Sequence, residues 1–313
     1  MFTQQFAQRY PGNPVLEPNS NWWESKAVFN CAVAEHDGKV HMLYRAVGDD
    51  GISRFGYAVS DDGFNFVRSH IPAYESPAGD EWERLGCEDP RITRIDDTFY
   101  IPYVGTSVYP VAEQRQPTFK IGPPWRCRVS MLSTTDFKSY TRHGVILPEF
   151  DDKDAVIFPE KIGGKYVMYH RLLPDIWISY SDDLINWYDH KPVMTPKAGS
   201  WDNERIGAGA PPIKTPEGWL NFYHGVDDNR VYRLGVFLSD LDDPSKIISR
   251  SKMPILNPEH AFECVGQVCN VVFTCGVIER DGQYLIYYGG ADSSIGVATL
   301  GKDRLKDIEM ISE

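Results

Sequence analysis

The segment from Phe273 to Gly290, FTCGVIERDGQYLIYYGG, contains two apolar runs separated by Asp281 and Gly282. An Asp-Gly pair between two such runs is a strong hairpin signal, because a tight turn there needs a left-handed backbone. Four other segments share this plan: VFNCAVAEHDGKVHMLYR (28–45), EDPRITRIDDTFYIPYV (88–104), DAVIFPEKIGGKYVMYHR (154–171) and GAPPIKTPEGWLNFYHG (209–225). The sequence therefore predicts five β-hairpins.

A second element follows each hairpin: a short apolar strand, Ser or Thr in most copies, and an acidic turn. The copies are FGYAVSDDGFNF, RVSMLSTTDFKSY, IWISYSDDLINW, LGVFLSDLDDPSKI and IGVATLGKDRL. Three or four short strands repeated five times are typical of β-propeller blades. We therefore predict an all-β chain that forms one five-bladed β-propeller domain over residues 1–313, rather than the two domains that length suggests. A β-sandwich with unrelated hairpins is the alternative.

The charge balance restricts the partners. The 313 residues include 32 basic and 44 acidic side chains, a formal net charge of −12. Nucleic-acid backbones and anionic lipid headgroups repel such a chain, so we expect neither a nucleic-acid nor a membrane partner. No signal-peptide pattern begins the sequence, and the six cysteines form no CxxC pair. We expect a cytoplasmic protein with reduced thiols, and a homo-oligomer stays open.

Polar residues recur at corresponding ends of the predicted hairpins. In a propeller, the start of the first strand and the end of the second lie at one mouth of the channel. The residues placed there are Asn30, Arg45, Asp89, Lys153, Arg171, Arg205, His224 and Asp292. Singly, each has an ordinary structural explanation, such as a turn at Asp89 or a buried His224. Together, four basic groups beside a carboxylate favour a site for an anion or a very polar ligand.

These residues lie in segments that resemble glycoside hydrolase family 130, the β-mannoside phosphorylases and their hydrolytic relatives. The segments are VFNCAV with LYR, GCEDPRI, KDAVIFPEKIGGKYVMYHR, ERIGAGAPPIKTPEGWLNFYHGV, LDDPSKI and YYGGADSSIGVA. The similarity runs from about Asn13 to Leu300. It implies a five-bladed propeller and a glycosyltransferase of carbohydrate metabolism. That enzyme would cleave a β-mannoside with inorganic phosphate, with inversion, to α-mannose 1-phosphate and a shortened acceptor sugar.

The resemblance also implies roles for single residues. Asp89 matches the catalytic acid, which protonates the glycosidic oxygen through a hydroxyl of the mannosyl ring. The positions that match mannosyl-binding residues are Asn30, Arg45 and Asp292. Those that match a phosphate pocket are Lys153, Arg171, Arg205, Tyr223 and His224. Some members of the family have Arg at the position of Lys153 and Lys at the position of Arg205. Because Lys and Arg differ in geometry, this exchange affects the pose of phosphate. Inorganic phosphate is then a co-substrate, and neither a metal nor an organic cofactor is implied.

The acceptor side is less defined. The stretch LLPDIW (172–177) lacks a His that some oligomannan-specific members have there. Trp177 or Tyr109 is a candidate to stack on the acceptor sugar, although a core position is the simpler explanation of Trp177. The aromatic, proline-rich loop 107–125 is predicted to overhang the mouth and shape acceptor choice. The linkage, 1,2 or 1,4, and the acceptor stay open.

The pattern of charges bears on the reaction type. A phosphate dianion is already a nucleophile, whereas an inverting hydrolase needs a second carboxylate that activates water. One acid facing several cations therefore favours phosphorolysis. The alternative is a β-mannosidase on the same scaffold, with Glu88, Glu204 or Glu263 as the base. A noncatalytic propeller that binds glycans is a third interpretation.

Overall fold

The computed structural model describes residues 6–109 and 125–313, and these ranges are almost entirely β-structure. Their strands form five consecutive antiparallel meanders, each built around one of the five predicted hairpins. The strand after each hairpin, with the acidic turn that follows it, is the third strand of its meander. The prediction of an all-β chain is confirmed.

The first two meanders share one nine-stranded sheet. Its strands are β2 (Ala27–His36), β3 (Lys39–Val47), β4 (Ser53–Ser60), β5 (Val67–Arg68), β6 (Gly86–Glu88), β7 (Thr93–Ile95), β8 (Thr98–Ser107), β9 (Arg126–Thr134) and β10 (Thr141–Leu147). Strands β4 and β6 run parallel and pair at Ser53 and Gly86. This single parallel pairing joins the two meanders at their edges.

The third and fourth meanders form two separate sheets. The third contains β11 (Lys153–Ile157), β12 (Tyr166–Leu172), β13 (Asp175–Ser181) and β14 (Trp187–Met194). The fourth contains β15 (Arg205–Ala208), β16 (Ile213–Thr215), β17 (Gly218–Val226), β18 (Tyr232–Ser239) and β19 (Ile247–Ser251).

Strands from both ends of the chain take part in the last two sheets. The fifth meander contains β20 (Val272–Arg280), β21 (Gln283–Gly290) and β22 (Ser294–Gly301), with α1 (Ala261–Cys264) before it and a 3-10 helix (Lys302–Asp307) after it. Strand β1 (Gln8–Arg9) pairs with β22, and β23 (Met310–Ser312) pairs with β19.

Prolines interrupt the first strand of two hairpins. Asp89 and Pro90 lie between β6 and β7, and Pro211 and Pro212 lie between β15 and β16. Proline has no N–H to donate to a strand ladder, so the pairing stops at these points. Each segment is two short strands rather than one, and Asp89 lies in the gap between its pair.

The acidic turn is built in the same way in four meanders. Asp62 Oδ1 accepts hydrogen bonds from the backbone N–H groups of Phe64 and Asn65, both at 2.8 Å. The corresponding aspartates accept backbone N–H groups two and three residues later: Asp136, Asp183 and Asp240. A short acidic side chain that bonds to its own turn explains why this residue type recurs.

Apolar side chains fill the spaces between consecutive sheet regions. Clusters lie between the first and second meanders, the second and third, the third and fourth, and the fourth and fifth. A further cluster joins the fifth meander to the first. Representative pairs, in that order, are Leu43 with Tyr103, Met131 with Met168, Tyr169 with Phe237, Leu220 with Tyr284, and Val40 with Tyr287. Every meander therefore packs against two others.

Candidate active site

Asp89 lies in a buried polar pocket between the first and second meanders. Its Oδ1 accepts a hydrogen bond from Asn30 Nδ2 at 2.9 Å and lies 3.5 Å from Arg45 Nη1. Asn30 and Asp89 are only 4% and 5% exposed, so water does not compete strongly for this contact. The structure thus brings together three residues that the sequence analysis selected from two hairpins.

The backbone is unusual at these positions. Asn30 and Asp89 have φ angles of 46° and 51°, in the left-handed backbone region that residues other than glycine rarely adopt. At Asn30 the register of β2 against β3 shifts between Phe29 and Ala32, so a bulge presents its side chain. Gly289 leaves room for it, because a Cβ there would lie 2.4 Å from Asn30 Oδ1. Backbone strain of this kind often marks functional sites.

Glu88 connects Arg45 of the Asp89 pocket to Lys153. Its Oε1 accepts a hydrogen bond from Arg45 Nη2 at 2.7 Å, and its Oε2 accepts one from Lys153 Nζ at 2.8 Å. Glu88 is 4% exposed, so this is a buried bridge between two cations. Glu88 enters the sequence-based predictions only as an alternative base for hydrolysis, and this contact is not among them. Its position next to Asp89 in GCEDPRI was the available signal.

Two carboxyl groups of the pocket, Asp89 and Asp292, have different proton affinities. Burial acts to raise the pKa of Asp89, but the charges of Arg45, Lys153 and Arg91 and the hydrogen bond from Asn30 lower it below its usual value. Burial raises the pKa of Asp292 to about 6, and Asp89 and Glu88 support that rise against the charge of Arg45. At neutral pH Asp89 is therefore ionised and Asp292 is mostly ionised, beside the cations of the pocket.

A second group of side chains surrounds Asp154, in the third meander. Asp154 Oδ1 accepts a hydrogen bond from Arg91 Nη2 at 2.8 Å, and its Oδ2 lies 2.7 Å from Arg171 Nη1 and 3.6 Å from His224 Nε2. Arg91 Nη1 also donates to the Asp89 carbonyl oxygen at 3.2 Å. Arg91 thereby links the Asp89 pocket to this second group.

His224 is completely buried and uncharged. Burial, with the charges of three nearby arginines, lowers its pKa to about 3 despite the opposing charge of Asp154. Its ring packs against Phe273 and Tyr232, with centroid distances of 4.5 Å and 6.0 Å. A neutral imidazole carries one N–H and one acceptor nitrogen.

Arg205 approaches the same place from β15. Its Nη2 donates to Tyr232 Oη at 2.6 Å, and its guanidinium lies over the Tyr232 ring. We name Arg171, Arg205 and His224 the donor cluster, because each has a buried nitrogen without a hydrogen-bond partner among the described residues. These nitrogens are Arg171 Nε, Arg205 Nε and His224 Nδ1. Buried N–H groups are normally paired, so three such donors indicate a place for an anionic ligand.

Tyr223 is not part of this arrangement. Neighbouring residues of a strand point to opposite faces, and Tyr223 points away from the side that His224 occupies. Its hydroxyl donates to Asp202 Oδ2 at 2.9 Å, and its ring packs in the core between the third and fourth meanders. The predicted phosphate residue Tyr223 thus has the contacts of a core side chain. Tyr223 and His224 are neighbours in the sequence, but neighbouring side chains of a strand point in opposite directions.

The residues predicted to lie near the acceptor sugar fall only partly within the described ranges. Trp177 is half-buried on β13, and its Nε1 has no hydrogen-bond partner among the described residues. Tyr109 donates its hydroxyl to Asp151 Oδ2 at 2.6 Å. Most of the predicted overhanging loop, residues 110–124, lies outside the described residues.

Two of the three alternative bases are engaged in other contacts. Both oxygens of Glu88 bind cations, as described above. Glu263 is fully buried and accepts hydrogen bonds from Arg9 and from the Tyr288 hydroxyl, each at 2.7 Å. Within residues 6–109 and 125–313, the one ionic contact of Glu204 is with Arg205 at 4.0 Å. A carboxylate whose oxygens already accept ionic hydrogen bonds is a poor base for water.

Among residues 6–109 and 125–313, no group of three or more His, Cys, Asp or Glu side chains is arranged to hold a metal ion. The helices found in those ranges are a few residues long, too short to cross a lipid bilayer.

Comparison with known families gives a match over nearly the whole chain. A family model described as beta-1,4-mannooligosaccharide phosphorylase, Glyco_hydro_130, matches residues 9–310. The chain is 46% identical over 310 residues to a 1,2-beta-oligomannan phosphorylase of Thermoanaerobacter sp. (strain X514), which covers 96% of this chain and 98% of the relative. A beta-1,2-mannobiose phosphorylase of the same organism is 45% identical, with coverage of 95% and 98%.

Solved structures resemble the fold over similar lengths. A beta-1,2-mannobiose phosphorylase from Listeria innocua, in complex with beta-1,2-mannobiose, superposes with a TM-score of 0.83 at 29% identity. The match covers 96% of this chain and 99% of that structure. A second structure, from work on GH130 glycoside hydrolases that target beta-1,2 mannosidic linkages in Candida mannan, has a TM-score of 0.84 at 29% identity, with coverage of 95% and 94%.

Proposed function

Because the chain belongs to glycoside hydrolase family 130, we propose that it is an inverting β-mannoside phosphorylase. It cleaves a β-mannoside with inorganic phosphate and yields α-mannose 1-phosphate and a shortened acceptor sugar. The family model and the two relatives at 45% and 46% identity support phosphorylase activity. The observation that carries the reaction type is the donor cluster, whose three unpartnered buried nitrogens are suited to bind a phosphate anion.

We assign the sugar to the Asp89 pocket. Asn30, Arg45 and Asp292 hold the mannosyl unit, and Asp89 supplies the proton for the glycosidic oxygen through a hydroxyl of that sugar. The hydrogen bond from Asn30 and the contact with Arg45 fix the orientation of the Asp89 carboxyl. Hydrogen bonds from buried protein groups to sugar hydroxyls give specificity. A sugar that lacks those hydroxyls leaves the protein groups without a hydrogen-bond partner.

We assign phosphate to the donor cluster together with Lys153. Phosphate attacks the anomeric carbon from the face opposite the leaving oxygen, which inverts the configuration there. As a dianion it needs no base, and the cations stabilise its charge and hold it in line. Its negative charge offsets the positive charge of Lys153, which lowers the pKa of Asp89. Bound phosphate therefore raises the pKa of Asp89 and favours its protonated form when both substrates are bound.

We propose a β-1,2 linkage as the one cleaved. The two relatives with 45% and 46% identity and the superposed Listeria structure are all described as acting on 1,2-linked mannosides. The family model carries a 1,4 description, but it covers many members, whereas the relatives share almost half of this chain's residues. Mannose or a β-1,2-mannooligosaccharide is then the acceptor released.

The scaffold and its setting are part of the proposal. The five meanders, each packed against two others with the fifth against the first, support a single five-bladed β-propeller domain. All six cysteines lie within the described residues and none forms a disulfide, which supports a reducing, cytoplasmic setting.

The linkage is tested in the synthetic direction. The protein is incubated with α-mannose 1-phosphate and, in separate reactions, with mannose, glucose or N-acetylglucosamine as acceptor. We expect phosphate release with mannose and a product whose NMR spectrum shows a β-1,2 bond. A β-1,4 product would contradict the linkage, and no phosphate release with any acceptor would contradict the phosphorylase assignment.

A further inference from the structure

Asp154 lies at the centre of the donor cluster, although no sequence signal assigned it a role. It is 1% exposed, and its carboxylate contacts Arg91, Arg171 and His224. We propose that Asp154 is the positioning residue of the phosphate site, which holds Arg171 and His224 in the orientation that binds phosphate. This inference rests on the proposed phosphorylase function and adds the device that organises its phosphate pocket.

The hydrogen-bond directions support this role. Arg171 Nη1 lies 2.7 Å from Asp154 Oδ2 and 3.3 Å from His224 Nε2. An arginine nitrogen can only donate, so Nη1 donates to His224, and Nε2 is the acceptor nitrogen of the neutral imidazole. The contact of Nη1 with Asp154 Oδ2 is an ion pair without hydrogen-bond geometry. The imidazole proton is therefore on Nδ1, which has no hydrogen-bond partner among the described residues. Asp154 thus helps to leave the Nδ1–H of His224 and the Nε–H of Arg171 ready for an anion.

The surrounding backbone is shaped to hold this carboxylate. Asp154 has a φ angle of 58°, and the register of β11 against β12 shifts between Lys153 and Val156. Gly207, which pairs with His224 across β15 and β17, has no side chain in the way. A Cβ on Gly207 would lie 2.3 Å from Asp154 Oδ2 and 2.5 Å from His224 Cε1. A strained aspartate next to a required glycine is a built feature rather than a chance contact.

A carboxylate beside a phosphate site needs an explanation, because it repels the ligand. Here Asp154 faces two arginines, so the local balance stays positive while both guanidinium groups are fixed. An arginine on a flexible side chain loses rotamer entropy when it binds a ligand, and prior fixation lowers that loss. We therefore expect Asp154 to increase the affinity for phosphate and to have little effect on the affinity for the mannoside.

The test separates positioning from a general structural role. Asp154→Asn keeps the shape but loses the charge that orients Arg171. We expect the KM for phosphate to rise on the order of tenfold to a hundredfold, while the KM for β-1,2-mannobiose changes little. The matched control is Glu83→Gln, a buried carboxylate, 2% exposed, that contacts Arg142 at 2.8 Å and no site residue. The control is expected to lose thermal stability and to keep both KM values.

The outcomes are distinct. An unchanged phosphate KM in folded Asp154→Asn overturns the positioning role, and so does an equal rise of both KM values. If Asp154→Asn does not fold, Gly207→Ala decides, because it keeps every charge and displaces Asp154 and His224; an unchanged phosphate KM there overturns the role. Absence of phosphorolysis in the wild-type protein would instead contradict the proposed function itself.

Discussion

Lys153 Nζ donates to Glu88 Oε2 at 2.8 Å, so a cation assigned to phosphate is already paired with a buried carboxylate. Burial acts to lower the pKa of Lys153, but the charge of Glu88 raises it above its usual value. Lys153 is therefore charged throughout the physiological range. In the proposed phosphate site, phosphate would share this ammonium group with Glu88, which has a second cationic partner in Arg45. Phosphate would then bind among existing ion pairs, not in an excess of unpaired cations.

Lys153→Ala and Arg171→Ala are expected to raise the KM for phosphate most strongly. Each removes a charged donor, and a hydrogen bond to a charged group contributes about 1.5–3 kcal/mol, which is roughly tenfold to a hundredfold in binding. Initial rates at varied phosphate measure the effect. Lys165→Ala is the lysine control, since Lys165 donates to the Tyr188 hydroxyl at the far end of the same meander. A phosphate KM unchanged in both variants would contradict the assignment of the phosphate site.

Asp89→Asn is expected to abolish turnover while the fold stays intact. The amide keeps the shape and a hydrogen bond with Asn30 but has no acidic proton to transfer, and general acids contribute about 10²–10⁴-fold. Turnover is measured with β-1,2-mannobiose and phosphate, and folding by circular dichroism. Asp97→Asn, in the exposed turn of the same hairpin, should have wild-type activity. Retained activity in Asp89→Asn would remove the central catalytic assignment.

Asp292 makes stability depend on pH in a specific direction. Its pKa in the folded protein is about 6, raised chiefly by burial from a usual value of 3.8. The folded state then binds the proton more tightly than the unfolded state, so this group lowers stability as pH rises from about 4 through 6. Asp292→Asn lacks this titrating group. Its free energy of unfolding should therefore increase relative to that of the wild type as pH rises from about 4 to 6. Urea unfolding at pH 4, 5, 6 and 7 measures it, and a constant difference would contradict the assigned pKa.

His224 is expected to stay neutral in the folded protein at pH 5. Burial is the main cause of its low pKa of about 3, below its usual value of 6.5. Its contribution to stability is therefore complete above about pH 6.5 and is lost as pH falls toward 3. NMR of histidine labelled with ¹⁵N reports the charge, and His224→Gln identifies the signal. An imidazolium spectrum for His224 at pH 5 would contradict the buried, neutral donor.

The local patterns in the sequence predicted the hairpins well. Turn residues such as Gly38 and Gly282 adopt the backbone conformation that a tight turn needs. The β2–β3 and β20–β21 pairings can therefore be predicted from residues that are close in the sequence. The parallel pairing of Ser53 with Gly86 and the pairing of β1 with β22 depend on contacts between distant segments. No local pattern encodes such contacts, and they were not predicted.

The same distinction applies to the site. Repeat positions placed Asn30, Arg45 and Asp89 at one location, because equivalent strand ends lie together. They did not find Arg91 or Asp154, which are buried and form an ion pair with each other at 2.8 Å. A single sequence does not show whether a charged residue is buried, since that depends on which sheets pack around it.

The rate of β-1,2-mannobiose cleavage at varied phosphate, with products identified by ³¹P and ¹H NMR, tests the central claim most directly. We predict that cleavage requires phosphate and yields α-mannose 1-phosphate and mannose in equal amounts. Release of two mannose molecules at the same rate without phosphate would contradict phosphorolysis and indicate a β-mannosidase. Binding of mannobiose without any product would contradict catalysis altogether.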